Sequence, residues 1–371
     1  MHVGLNLIFL VPGETGGMEV VARETIPALV AAAPSGTRFT AFVSRDAGPG
    51  PWGDLIEQVE VPVRASRRTE WVRAEQLLLP RLAATAGVDV LHSLASTSPA
   101  RGPYARVVTV HDLIYRHLPR SHEGLRSLGM RVLVPLAVRR ARRVVAISQA
   151  TKRDIVDLLG TAPEKIDVVY PGAGVPPRAK PLAEAPLRAQ LELGDRRVLL
   201  ALSAKRKHKN LEPLLDALAA LDQRPVLVLA GYSTAHEREL RKRAASLGIE
   251  ADVRWPGWLS DAAVEGLWAI SSGFVFPSLY EGFGLPVLEA MARGVPVACS
   301  DTSATAEIAA GAALLFDPRD SNAVAAALAR LLAGGHEIER LCEAGVARAA
   351  TFTWERSARG LLATYARALS G

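Results

Sequence analysis

Short apolar runs recur along the whole chain, and between them apolar residues return every three or four positions. In the first half the runs LNLIFLV, RFTAFVS, VDVLHS, RVVTVHD, RRVVAIS and IDVVYPG read as β-strands. The stretches MEVVARETIPALVAAA and EWVRAEQLLLPRLAATAG between them read as amphipathic helices. A second series follows, with strands RVLLALS, PVLVLAG, DVRWPG, GFVFPS, VPVACS and AALLFDP. Strands alternating with helices predict parallel sheets built from βα units. The segment PGAGVPPRAKPLAEAP, residues 171–186, is rich in Pro and Gly and reads as an interdomain linker. The expected architecture is α/β: two doubly wound domains joined by one hinge. Ligands of such sheets bind at the carboxyl ends of the strands, so the site is expected in the cleft between the domains.

Length agrees, since 371 residues favour two cores over one. A hydrophobic content of 49% with 22% charged residues is that of a globular protein. No apolar run reaches the roughly 20 residues that span a bilayer. The strand pattern starts at His2, which leaves no room for a signal peptide. Cys299 and Cys342 make no disulfide framework, so the expected compartment is the cytoplasm. The net charge is +6, yet only seven of the 44 basic residues are lysines. The arginine excess, beside abundant alanine, reads as the bias of a GC-rich genome. Three of those lysines nevertheless fall within KRKHK, residues 205–209.

Candidate chemistry concentrates in SLYEGFGLPVLEAMARGVPV. Pro286 suits the first turn of a helix and Gly294 its stop. The N–H groups at Gly284 and Leu285 then head the helix, where its dipole favours an anion such as a phosphate. Glu289, one turn inside, has the reach to accept hydrogen bonds from a vicinal diol such as a ribose. Glu281, before the turn, has the reach to hold another hydroxylated group. Ribose, diphosphate and sugar in that order describe a nucleotide sugar; the bland alternative is a surface loop and a solvated glutamate. Cations are disfavoured at a helix N-terminus, so KRKHK points to an anionic ligand. Gly16 and Gly17 follow the first strand and let the backbone approach a ligand, without the G-x-G-x-x-G spacing of a dinucleotide fold. His111 ends an apolar strand; a lone histidine there is more often structural. His92 and His117 read as loop or core residues. There is no D-x-D pair and no His/Cys/Asp cluster with ligand spacing, so no metal is expected. The Arg-rich stretch RSLGMRVLVPLAVRRARR fits a membrane-facing amphipathic helix or a surface helix of a basic protein. Nucleic acid is not expected, because no aromatics interleave the arginines.

FPSLYEGFGLPVLEAMARGVPV resembles the E-x7-E signature of the family 4 glycosyltransferases, whose two Rossmann-like domains face across a cleft in the fold called GT-B. The resemblance extends to PGETGG as the glycine loop, VVTVHDL as the His–Asp segment, and VVAISQATKRDI as the last unit of the first domain. It further takes in LSAKRKHKNLEPLLDAL as the phosphate-binding Lys-Asn segment and FTWERSA as the start of a C-terminal helix crossing back to the first domain. It implies domains at 1–173, with about 353–371, and at 174–352. It implies a retaining transferase that moves a sugar from a nucleotide-diphosphate donor to a hydroxyl acceptor, without a cofactor. Lys209 matches the lysine that pairs with the diphosphate, and its usual arginine partner is replaced here by Ser203. Arg206 is the candidate second cation, with Lys205 and Lys207 as alternatives. Donor contacts are further implied at Gly16, Gly17, Glu281, Gly282, Phe283, Gly284, Leu285 and Glu289, around Trp258 for the base, and at His111 for the transferring sugar. The pattern is most similar to mannosyltransferase-like members, which implies GDP-mannose, with UDP-sugars second. A polyprenol-linked glycan is the first acceptor reading and a small natural product the second, with peripheral contact at the inner membrane face. The rivals are a nucleotide-sugar-binding module without transfer and a nicotinamide-dependent oxidoreductase.

Overall fold

A computed structural model describes residues 1–48, 50, 52–119, 125–173 and 179–370 of the chain. The chain divides into two compact units, Met1–Gly172 with the segment from Phe352 onward, and Ala173–Thr351.

The first unit holds seven parallel strands: β1 (His2–Leu7), β2 (Arg38–Ser44), β3 (Glu57–Val61), β4 (Val90–Ser93), β5 (Ala105–Val110), β6 (Arg143–Ala146) and β7 (Ile166–Val168). Their order in the sheet is β3-β2-β1-β4-β5-β6-β7. Strand β1 is buried at all six positions, as expected where helices cover both faces of a parallel sheet. The order reverses between β1 and β4, which opens a crevice at their carboxyl ends. The apolar run expected as LNLIFLV overshoots this strand. Leu10 turns back to the Leu7 carbonyl at 3.0 Å, and the loop stays apolar because Ile8, Phe9 and Leu10 are themselves buried. Strand β3 has no counterpart in the apolar pattern. Its sequence EQVEV sits at the sheet edge and buries only Val61, so no hydrophobic run announces it.

The helix expected over EWVRAEQLLLPRLAATAG exists in three parts. A helical stretch over Arg68–Arg73 passes into a π-helical turn at Ala74–Leu78, then resumes over Leu79–Thr85 with Pro80 in its first turn. Proline has no N–H to donate back, and the wider π turn falls immediately before it.

The second unit holds six parallel strands: β8 (Val198–Leu202), β9 (Val226–Ala230), β10 (Val253–Gly257), β11 (Ser271–Phe276), β12 (Val297–Ser300) and β13 (Leu314–Phe316). They lie in the order β10-β9-β8-β11-β12-β13, with the reversal between β8 and β11. All six apolar runs of the second series are strands here. Of the expected linker, residues 174–178 lie outside the described residues, and Pro186 belongs to a helix, Glu184–Gln190. Its missing N–H costs nothing in the first turn, so the linker ends earlier than its composition suggests.

The last helix, Trp354–Ser370, packs into the first unit. Ala358, Leu361, Tyr365 and Ala368 enter the same core as Ala22, Ile26 and Leu29 of the Gly17–Ala32 helix. Tyr365 Oη lies 2.7 Å from His92 Nδ1, and His92 Nε2 lies 2.8 Å from Thr109 Oγ1. Burial pushes the His92 pKa down to about 3, helped by neighbouring His111, so this imidazole stays neutral and acts as a core hydrogen-bonding residue. Tyr365→Phe removes one partner from a fully buried ring nitrogen. The variant is expected to lose about 1–3 kcal/mol of stability, read as a lower urea midpoint.

The Arg-rich stretch, residues 126–143, lies in the helix Leu125–Arg140 up to Arg140, and its last residue, Arg143, opens β6; the side chains of 125–128 lie outside the described residues. Val134, Ala137 and Val138 point into the core with Leu113 and Tyr115. Arg131, Arg139 and Arg140 face outward. Among the described residues no helix is long and apolar enough to cross a membrane.

Candidate functional site

The residues singled out in the second unit converge at the carboxyl ends of its strands. After β8 the chain makes the segment 203–209. Ser203 continues the ladder by donating its N–H to the Ala230 carbonyl at 3.0 Å. Lys205 then turns inward and is fully buried. Its ammonium donates to the Gly231 carbonyl at 2.5 Å, and Thr234 Oγ1 donates to the Lys205 carbonyl. Burial pushes its pKa down to about 8, against the pull of Glu237. Lys205 is thus committed to holding the loop after β9, and drops out as a stand-in for the replaced arginine. Arg206 and Lys207 are exposed.

Lys207–Lys209 form one 3-10 turn, ending at Asn210 with a φ of 56°. Asn210 Nδ2 donates to the Pro277 and Pro318 carbonyls at 3.1 and 2.6 Å. Asparagine tolerates the left-handed region and brings its own donors, so it pins this turn to the end of β11. Lys209 follows that anchor. Its ammonium lies 2.5 Å from Glu281 Oε1 and 5.1 Å from the centre of the Phe276 ring. Burial raises the Glu281 carboxyl, but the charges of Lys209 and His208, with the hydrogen bond from Lys209, outweigh it and hold the pKa below the ordinary value. Glu281 is therefore an ionised acceptor. Its own N–H donates to Ser303 Oγ at 2.9 Å.

Beyond Glu281 the backbone passes through Gly282 and Phe283, both buried, to Gly284. Gly284 has a φ of 111° and caps the helix Leu285–Ala292. A side chain there would be strained. Leu285 takes the first helical position and Pro286 the second, one residue earlier than the sequence suggests. The helix-heading N–H groups of Gly284 and Leu285 have no intrahelical acceptor. Glu289, half-buried, lies one turn on, and its carbonyl accepts from Arg293 at 3.1 Å. Trp258, just past β10, is 67% exposed and tilts against Tyr232 with ring centres 4.9 Å apart.

The first unit holds its own set. Gly16 has a φ of 62° and caps the helix Gly17–Ala32. Glu19 in the first turn accepts from the Gly13 N–H at 2.8 Å and from Arg23 Nε at 2.8 Å, so the helix start already has a carboxylate against its dipole. His111 follows the last residue of β5 and is buried. Its Nε2 lies 2.6 Å from the Leu94 carbonyl, and its backbone N–H donates to Ser96 Oγ at 3.3 Å. A carbonyl only accepts, so Nε2 carries the proton. Burial lowers the ring's pKa, the Leu94 contact and Asp112 opposing it. The neutral ring leaves Nδ1 as an acceptor. Asp112 accepts from the Ile114 N–H at 3.0 Å and so holds the loop. His117 lies 2.9 Å from Asp154, away from these groups in role.

Sequence reasoning missed two contributors and the partners of a third. Asn210 was legible as the Asn of the Lys-Asn segment, but its two carbonyl partners lie 67 and 108 residues away. Ser303 and the loop holding His111 carry no local signal.

Comparison with known proteins accounts for both units. Residues 184–348 match the family model described as Glycosyl transferases group 1, and residues 15–174 match that described as Glycosyltransferase Family 4. The chain is 29% identical over 293 residues to O-antigen chain mannosyltransferase B of Escherichia coli, covering 76% of this chain and 77% of that protein. It is 31% identical over 237 residues to the MMP alpha-(1->4)-mannosyltransferase of Mycolicibacterium hassiacum, covering 62% of this chain and 56% of that protein. Among solved structures, Anabaena HepE in complex with UDP and glucose superposes with a TM-score of 0.75 at 20% identity, covering 99% of each chain.

Proposed function

Because this chain belongs to the family 4 glycosyltransferases and has their GT-B fold, we propose that it is a retaining transferase that moves mannose from GDP-mannose to a hydroxyl acceptor. The observation that carries the reading is the Lys209–Glu281 pair, 2.5 Å apart beside the Gly284-capped helix start. It sets a cation, an anion-binding helix end and an ionised hydroxyl acceptor next to one another. The mannosyltransferase relatives support the sugar.

In this reading Lys209, Arg206, Gly284 and Leu285 hold the diphosphate, and Gly282 and Phe283 shape the turn around it. An ammonium has three donors, so Lys209 can keep Glu281 and still reach a phosphate oxygen. Glu281 accepts from hydroxyls of the donor sugar and Glu289 from the ribose. The segment around Trp258 lines the base, with Ser203 below the diphosphate. His111, neutral, accepts a sugar hydroxyl at Nδ1 and does not serve as a general acid. Gly16 and Gly17, next to the carboxylate of Glu19, suit a neutral hydroxylated acceptor better than a phosphate. In the transfer step the bond from the anomeric carbon to the diphosphate oxygen breaks. The acceptor oxygen bonds that carbon on the same face, and its proton passes to the leaving phosphate. Charge on that phosphate is met by Lys209 and the helix start, donors of a kind worth about 3–4 kcal/mol each when preorganised. The acceptor we propose is a polyprenol-linked glycan, with Arg131, Arg139 and Arg140 drawn to an anionic membrane face.

A panel of GDP-mannose, UDP-glucose, ADP-glucose and dTDP-glucose, scored for binding and slow hydrolysis, tests the donor. GDP-mannose should lead; preference for UDP-glucose would overturn the mannose assignment, and binding without any turnover would favour a non-catalytic binding module. Turnover should survive EDTA, and loss that Mg²⁺ or Mn²⁺ restores would overturn neutralisation by Lys209 and the helix. Glu289→Ala should weaken GDP binding about 10- to 100-fold, the loss of roughly 1–3 kcal/mol of ribose hydrogen bonding. Calorimetry showing unchanged GDP affinity would remove Glu289 from the ribose.

A further inference from the structure

Residues 94–98, the loop after β4, are all buried, although loops ordinarily run over the surface. A buried loop must find partners for its polar groups inside the protein. Here those partners form two groups. On one side stands His111, whose Nε2 donates to the Leu94 carbonyl and whose N–H donates to Ser96 Oγ. On the other side stands the π-helical turn Ala74–Leu78, with Glu75 and Gln76.

Thr97 Oγ1 donates to Glu75 Oε1 at 3.0 Å. Asn6, at the end of β1, donates to the same oxygen at 2.9 Å and to Ser93 Oγ at 3.1 Å. Gln76 Nε2 donates to the Ser98 carbonyl at 3.0 Å, and Gln76 Oε1 accepts from the Ala100 N–H at 3.0 Å. Glu75 is 1% exposed. Burial pushes its carboxyl up to about 7, against hydrogen bonds from Asn6, Thr97 and Gln76. A residue needed only to fill space would be apolar, because a buried carboxyl is costly to keep. A π turn inside a helix is, moreover, a feature frequently found at functional sites. None of the roles proposed above uses Glu75.

We propose that Glu75 is a positioning residue for the transfer reaction, holding the His111 ring through Thr97 and the loop 94–98. The proposal rests on the assignment of His111 to the transferring sugar. Glu75 touches no substrate; it fixes the carbonyl that selects the His111 tautomer. Gln76 holds the adjoining Ser98 carbonyl and Ala100 N–H, so the Glu-Gln pair clamps the far end of the loop.

The test compares Glu75→Gln, His111→Ala and the double variant, using the nucleotide sugar that turns over in the panel above. Glu75→Gln should lower kcat by at least about tenfold, the scale of a small misplacement in a site. Affinity for the matching nucleoside diphosphate should stay within twofold, because its proposed contacts lie in the second unit. In the His111→Ala background Glu75→Gln should have no further effect on kcat, the non-additivity of residues acting through one another. Independently of any donor, the ¹⁵N shifts of the His111 ring should report a single Nε2–H tautomer in the wild type and a mixture in Glu75→Gln. If Glu75→Gln fails to fold, Thr97→Val removes only the hydroxyl link and carries the same expectations. Wild-type kcat and ring shifts in the folded variant, or additive losses in the double variant, would overturn the role of Glu75. A near wild-type kcat for His111→Ala would instead overturn the His111 assignment, and the inference with it.

Discussion

Lys209→Ala is expected to lose both stability and affinity for a nucleoside diphosphate, and the two losses have separate causes. In the folded protein Glu281 is 15% and Lys209 16% exposed at the side chain. Removing the ammonium leaves a poorly solvated carboxylate, a change that costs about 3–5 kcal/mol when a buried pair is broken on one side. Titration gives the sign. With Lys209 present the Glu281 pKa lies below its ordinary value, so this group stabilises the fold above about pH 4.5 and loses that contribution as pH falls through its folded pKa. Without Lys209 desolvation dominates and the folded pKa rises above the unfolded one. Stability of Lys209→Ala should then improve as pH falls toward 4.5, the reverse of the wild type. Urea midpoints measured across pH 4–8 decide it. The double variant Lys209→Ala/Glu281→Gln should recover much of the stability, since no unpaired charge remains. It should not recover GDP affinity, which calorimetry should place about 100-fold or more below wild type, the worth of one charge-assisted contact of about 3 kcal/mol. Full recovery of binding in the double variant would show that Lys209 serves Glu281 and not a phosphate.

His111→Ala is expected to leave affinity for GDP-mannose within a few-fold and to lower kcat about 100-fold, the pattern of an interaction felt mainly in the transition state. The pH profile carries a second expectation. Burial lowers the ring's pKa below 6.5, so wild-type kcat should show no His111 titration between pH 6.5 and 8. A kcat that falls as a group near pH 7 loses its proton would mean that a protonated imidazole is required. That outcome would contradict the Nε2–H, Nδ1-acceptor form imposed by the Leu94 carbonyl. A near wild-type kcat for His111→Ala would return the residue to a purely structural role.

Much of this molecule is written locally in its residues. Central parallel strands such as β1, β8 and β9 are buried on both faces, so they appear as unbroken apolar runs. Glycine and proline at Gly284 and Pro286 mark a helix start because few other residues tolerate a φ of 111° or dispense with an N–H. The order of these elements was enough to specify two doubly wound units, and E-x7-E with its companion segments was enough to specify the family. Strand β3 escaped because an edge strand with charged residues needs no apolar run.

What the chain does not state locally is which way a side chain turns and whom it meets. Within KRKHK the sequence presents equivalent cations, yet burial against Gly231 withdraws Lys205 and leaves Arg206 and Lys207 outside. Glu281 finds its counter-charge 72 residues back along the chain, and Tyr365 reaches His92 across 273. Glu75 reads as one more helical glutamate until the fold closes Asn6, Thr97 and the loop beneath His111 around it. Local patterns follow from backbone geometry and solvent exposure, which each short segment expresses by itself. Ion pairs, tautomers and shifted pKa values follow from desolvation and from partners brought together only when the whole unit is packed, and those were decided by the tertiary structure alone.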